Sequence, residues 1–208
     1  MATETQISLS RRSSAPAGSG PYSIVLARHG EPGLSRRVKL TSDGYRDWWA
    51  AYEEVGLLEG QVAPERLKAY AARAKHILSS TRPRSIETAR AISGEGAFDS
   101  HPMLIEAPLP PPRFPEFIRF SPRTWGVIAR LWWWLFNHHD GQETRDQAKA
   151  RARRTAETLV EMAASGPVLV LAHGFFNGMI GQELKSLGWR LADNQGFRYW
   201  SARRFEKR

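Results

Sequence analysis

The chain has 208 residues, 41% of them hydrophobic, and a formal net charge of +9 from 30 Lys and Arg against 21 Asp and Glu. That length supports one sizeable domain with its own core, and no apolar run approaches the ~18 residues a membrane-spanning helix needs. The sequence contains no cysteine, so disulfides, zinc–thiolate sites and cysteine nucleophiles are excluded.

Residues 1–20, rich in Ser, Ala, Thr, Gly and Arg, have little to bury and predict a disordered tail without an apolar signal core. A cytoplasmic location is the matching expectation. Residues 23–27 form a short apolar run ending at a glycine turn, which predicts a buried strand. Thr41, Ser42 and Asp43 open a helix whose apolar spacing runs through Trp48, Trp49, Tyr52 and Val55 to Gly56 or Gly60. Pro64 starts a second helix, to about Ala74, and residues 76–79 read as a strand. Thr81 and Pro83 begin a helix that runs to Gly94, and residues 103–105 read as a strand end. Five prolines between 108 and 115 rule out regular structure there. Helices follow at about 121–137 and 142–164, a strongly apolar strand at 167–172, a helix at 175–187 and a last strand at 197–202. Strands alternating with helices predict an α/β fold, a three-layer α/β/α sandwich with a mostly parallel sheet. One domain over 21–208 is expected, with a Pro- and Trp-rich insertion at about 107–140.

The chemistry concentrates where strands end. Arg28-His29-Gly30, Arg82 with Arg84, and His173-Gly174 each follow a predicted strand. Ligands of open parallel sheets bind beyond the carboxyl ends of the strands, so these groups are expected around one crevice. Helices starting near Pro83 and Phe175 would add positive N-termini there. Two imidazoles and two guanidiniums around an anion point to phosphoryl transfer. An unprotonated histidine attacks phosphorus, and nearby guanidinium charge keeps it neutral. A carboxyl group must protonate the leaving oxygen. Glu106 is the first candidate; Glu31 and Glu116 compete with it. No clustered metal ligands are evident. His138-His139 lacks partners at useful spacing and reads as a polar helix end.

These segments resemble the histidine phosphatase superfamily, the phosphoglycerate mutase-like proteins, over roughly residues 22–200. The matching residues are Arg28, His29, Gly30 and Glu31, then Leu40, Thr41 and Gly44. Ser79, Ser80, Arg84, Thr88 and Ala89 follow, then Leu104 with Glu106, a helix start near residues 141–144, and finally His173 with Gly174. The resemblance implies that His29 becomes phosphohistidine. It implies that Arg28, Arg84 and His173 bind the transferring group, and that Glu106 donates the proton and later activates water. Glu31, Arg82 and Gly174 are further candidate substrate contacts. No metal and no cofactor are implied. The implied substrate is a phosphorylated small molecule or phosphoprotein. A phosphomutase and a catalytically silent relative that binds a phospho-ligand or a protein are the alternatives. Two departures bear on substrate choice. Leu34-Ser35-Arg36 stands where many members have an asparagine, and Phe175-Phe176-Asn177 where an arginine usually follows the second histidine.

The basic excess is mostly arginine, which binds phosphate bidentately. The clusters at 151–154 and 203–204 come without a nucleic-acid motif and are placed on solvated faces, so no nucleic-acid partner is expected. The segment 125–136 is apolar nearly all round apart from Arg130. It reads first as a helix packed over the core. A substrate lid, a dimer contact and a membrane-surface anchor are the lesser readings. With the Pro-rich loop it is expected to set substrate choice.

Overall fold

The computed structural model describes residues 22–207; the predicted tail lies outside them. The order is β1 (Ser23–Arg28), α1 (Ser42–Glu54), α2 (Glu65–Ala71), β2 (His76–Ser79), α3 (Pro83–Ser93), β3 (Asp99–Ser100), α4 (Pro122–Phe136), α5 (Arg145–Ala163), β4 (Val168–Ala172), α6 (Gly174–Ser186), β5 (Arg190–Asn194) and β6 (Ala202–Glu206). The strands make one sheet in the order β3-β2-β4-β1-β6-β5. β3, β2, β4 and β1 run parallel, and β6 is antiparallel to both β1 and β5.

Both faces of the sheet are covered, which is why β4 is uninterrupted apolar sequence. Val168, Val170 and Ala172 pack with Ala152, Ala156 and Leu159 of α5 and Phe176, Ile180 and Leu184 of α6. The alternate residues Leu169 and Leu171 pack with Leu67 and Tyr70 of α2 and Ala89 and Ile92 of α3. The period of two along the strand thus divides one apolar run between two helical layers.

Helix starts follow the sequence signals. Thr41 caps α1, its Oγ1 accepting from Gly44 N at 3.1 Å. Thr144 and Gln147 form a reciprocal capping box at α5. Pro83 and Pro122 stand in first turns, where no N–H is needed. α1 and α4 are joined at their starts by the Leu40–Phe120 bridge and by Trp125, whose indole donates to Leu40 O at 2.7 Å. Together they cap the carboxyl end of the sheet.

Three expectations are corrected. Residues 103–105 are not a strand end. Pro102–Leu104 is a 3-10 turn with Pro102 in its first turn, and the His101 imidazole accepts from Met103 N. The pairing strand is the two-residue β3 just before it. Residues 197–202 do not form the last strand; a turn in which Trp200 takes φ 60° occupies most of that stretch. The sheet continues instead through β5 and β6, whose charged residues disguised them. The arginine clusters are not simply solvated. Arg203 is buried and donates to Asn177 O at 2.5 Å. Arg151 pairs with Glu143 at 2.7 Å, lies 3.7 Å over the Phe176 ring, and donates to the carbonyls of Met103 and Ile105.

Candidate active site

β2, β4 and β1 are adjacent, with β4 in the middle, and their carboxyl ends are level: Arg28 is opposite Ala172, and Ser79 opposite Leu171. His29 follows β1, His173 follows β4 and caps α6, and Ser80 and Arg84 follow β2. Arg28, His29, Arg84, Glu106, His173 and Gly174 all line one cavity of about 640 Å³.

His29 is buried, its ring 5.2 Å from that of His173 and 5.6 Å from Tyr199. Its Nδ1 lies 2.7 Å from Gly30 O. A carbonyl only accepts, so Nδ1 carries the proton and the Nε2 lone pair is free. Burial, then the charges of Arg84 and Arg28, hold this imidazole well below the ordinary histidine range. His173 is held low in the same way, by burial and then Arg84. Its Nε2 is 2.8 Å from Ser80 Oγ and its Nδ1 3.4 Å from Arg84 Nη2. The guanidinium only donates, so Nδ1 accepts from Arg84 and Nε2 carries the proton, donated to Ser80 Oγ.

These two shifts set a pH dependence of stability. Below about pH 6.5 the unfolded chain protonates both histidines while the folded chain resists, so stability is lost as the pH falls through that range. Chemical denaturation between pH 6.5 and 5.5 is expected to show it. Wild type should lose up to about 1.4 kcal/mol per pH unit per imidazole more than a His29→Asn/His173→Asn double variant. Equal slopes would contradict the assignment.

Arg84 is fully buried. It donates through Nη1 to Tyr52 O at 2.7 Å and through Nη2 to Glu53 Oε1 at 2.8 Å, with its guanidinium 4.5 Å over the Tyr52 ring. Arg82 is tied to the other oxygen of Glu53 at 2.6 Å, and it does not line the cavity. Arg28 donates to Phe197 O at 2.6 Å and lies 4.2 Å over Tyr199.

Glu106 reaches the start of α6: Oε1 accepts from Phe176 N at 2.8 Å and Ala107 N at 3.1 Å, and Oε2 from Phe175 N at 3.3 Å. Arg151 anchors the backbone just before it through Met103 and Ile105. Glu31 is exposed and outside the cavity wall, with its backbone paired to the Gln61 amide. Glu116 is exposed too.

Two glycines make room. An added Cβ at Gly30 would sit 2.4 Å from Trp200 Cζ2 and 2.9 Å from Leu57; at Gly174 it would sit 3.3 Å from Arg28 Cδ. Gly30→Ala is therefore expected to cost about 1–3 kcal/mol by overpacking. It should also disturb His29 next to it, while Gly174→Ala is milder. Urea titration and kcat of the two variants check this order.

Several contributors escaped the sequence reading. Arg36 and Arg130 line the cavity. Arg36 donates to Tyr52 OH at 2.8 Å. Arg130 lies 4.3 Å over Phe175, and its Nε is buried without an acceptor. Burial lowers the Arg130 pKa, and Glu106 opposes that shift. A lone charge inside an apolar helix was the available signal for Arg130. Glu53 pairs with Arg84, and nothing in its spacing announces it; Ser80, already a motif residue, contacts His173. Among the described residues the cavity holds six arginines and one carboxylate, Glu106. Such a site attracts an anion. No three His, Asp or Glu of the described residues form a group fit to hold a metal ion.

The histidine phosphatase superfamily (branch 1) family model matches residues 24–204. The chain belongs to this superfamily. No curated protein sequence matches it significantly. Among solved structures, phosphoserine phosphatase from Entamoeba histolytica, as a mutant in complex with phosphoserine, is 14% identical. That alignment covers 82% of this chain and 86% of the other, at a TM-score of 0.52. The same enzyme in complex with 3-phosphoglyceric acid is 13% identical over 82% and 86%, at 0.51. An open reading frame product of Mycobacterium tuberculosis is 20% identical over 76% and 77%, at 0.49. At these identities the likeness to the two Entamoeba histolytica structures shows the fold alone, the phosphoglycerate mutase-like fold of this superfamily member. Membership makes it a relative of phosphatases and mutases.

Proposed function

We propose that this protein hydrolyses a phosphomonoester, without a metal ion, through a phosphohistidine intermediate on His29. The observation that carries the reading is the His29 tautomer: Nδ1 is committed to Gly30 O, so Nε2 presents a lone pair to an arginine-lined cavity. Arg28 and Arg84 each keep a buried Nε without a protein acceptor, donors that phosphoryl oxygens would satisfy. Their charge does what a metal ion does elsewhere, neutralising the non-bridging oxygens.

In the first step His29 Nε2 forms a bond to phosphorus and the bond to the ester oxygen breaks. Glu106 gives its proton to the departing oxygen. Oε2 suits this task, since its one contact is the longer 3.3 Å bond from Phe175 N. In the second step water attacks the phosphohistidine, Glu106 takes the proton, and phosphate leaves. His173 stands beside the transferring group, its ring held 5.2 Å from that of His29 by Arg84 at Nδ1 and Ser80 at Nε2. Arg130 adds charge near Glu106.

The test is alkaline quenching in denaturant during turnover of a small aryl phosphate with chelator present. An acid-labile, base-stable phosphoryl adduct on His29 is expected. Turnover that requires added metal, or a label on another residue, would overturn the proposal.

A further inference from the structure

α4 is apolar on two faces. Trp125, Ala129 and Trp133 are fully buried against the domain. Val127, Leu131, Trp134 and Leu135 follow the spacing i, i+4, i+7, i+8 along a second face, and they are 45–65% exposed. A surface helix ordinarily turns polar side chains outward, so this strip calls for an explanation.

Its position supplies one. Val127 and Trp134 belong both to the strip and to the cavity wall. The apolar surface therefore begins inside the site and continues outward along the helix. Within the cavity, Trp48 and Trp49 extend the same apolar wall. Among the described residues that line it, none is Ser, Thr, Asn or Asp. A leaving group rich in hydroxyls would lose its water there and find few acceptors for its protons, only Glu106, the Gln182 amide and the Tyr45 and Tyr52 hydroxyls against six arginines, which is costly. An apolar group would only gain from the transfer.

Resting on the phosphatase reading above, we propose that the substrate is an amphiphilic phosphomonoester. Its phosphate sits among Arg28, Arg84 and the two histidines. Its leaving group is a long apolar chain that passes between Val127 and Trp134 and lies along Leu131 and Leu135. Hydrolysis releases the long-chain alcohol and inorganic phosphate.

The experiment is a series of n-alkyl phosphates from ethyl to dodecyl, each kept below its critical micelle concentration. As long as added methylenes are buried, kcat/KM is expected to rise about two- to fourfold with each, and then to level off. Val127→Ser and Trp134→Ser should lower kcat/KM for decyl phosphate at least fivefold more than for ethyl phosphate. A flat series overturns the inference, as does a preference for short esters bearing hydroxyls or a second anionic group. In either case the His29 adduct would still form, and the phosphatase reading would stand. Calorimetric binding of alkyl phosphonates, which cannot be hydrolysed, separates the opposite case. Affinity that climbs with chain length while no ester labels His29 keeps the tail site and removes the phosphatase reading. Affinity independent of chain length removes the tail site.

Discussion

Replacing His29 with Ala is expected to abolish the phosphoryl adduct and to lower kcat/KM for an aryl phosphate by about 10⁴-fold or more, as for other lost nucleophiles. The substitution is clean because the backbone of His29 is held independently of its ring. His29 N donates to Ala172 O at 3.0 Å, and Gly30 N donates to Thr88 Oγ1 at 2.9 Å. The side chain leaves while the loop stays. The arginines also stay, so affinity for inorganic phosphate should survive. Steady-state kinetics with chelator, beside phosphate binding by calorimetry, separate the two effects. Undiminished activity in His29→Ala would falsify the mechanism. Loss of activity together with loss of phosphate binding would point to a disordered loop instead.

For Arg84→Met, both activity and stability are expected to fall, and for different reasons. Loss of one preorganised cationic donor costs about 10²–10³ in kcat. Loss of the guanidinium also breaks the buried pair with Glu53, whose side chain is 14% exposed. Breaking such a pair costs about 3 kcal/mol, the low end of its usual range, because Arg82 still holds the other Glu53 oxygen. Adding Glu53→Gln to Arg84→Met should therefore recover part of the stability and none of the activity. Urea denaturation and kcat measured on the single and double variants decide it. Recovery of kcat in the double variant would show that Arg84 matters only by neutralising Glu53.

How the site could be read depended on how each residue carries its signal. His29, Arg84 and His173 stand next to strand ends and helix starts, where local patterns of apolar residues, glycine and proline are strong. Glu106 was harder, because the turn at Pro102 resembles a strand in composition. Arg36 occupies a position where the family pattern is broken, and that break brings a guanidinium to the cavity. Arg130 interrupts an apolar helix. Glu31 and Arg82 looked equivalent to their neighbours in sequence, yet Glu31 faces outward and Arg82 is bound by Glu53. The error at residues 197–202 has the same origin. A strand is expected there, but Phe197 and Tyr199 serve Arg28 through a carbonyl and a ring.

What the sequence by itself determined is local. The apolar run of β4, the caps at Thr41 and Thr144 and the prolines at helix starts settle the α/β alternation, since each depends on backbone geometry within a few residues. The motif residues name the chemistry for the same reason. Only the tertiary structure decided which charges meet. Glu53 reaches Arg84 across 31 residues, and Arg151 supports the segment before Glu106 across more than 45. Arg203 is drawn under Asn177 by β6 pairing with β1. Electrostatic and hydrogen-bond partners are selected by distance in space, and no period along the chain encodes them. The exposed strip on α4 is the clearest case. Its apolar residues are plain in the sequence, but that they continue the wall of the cavity beside His29 follows only from how α4 lies across the ends of the strands.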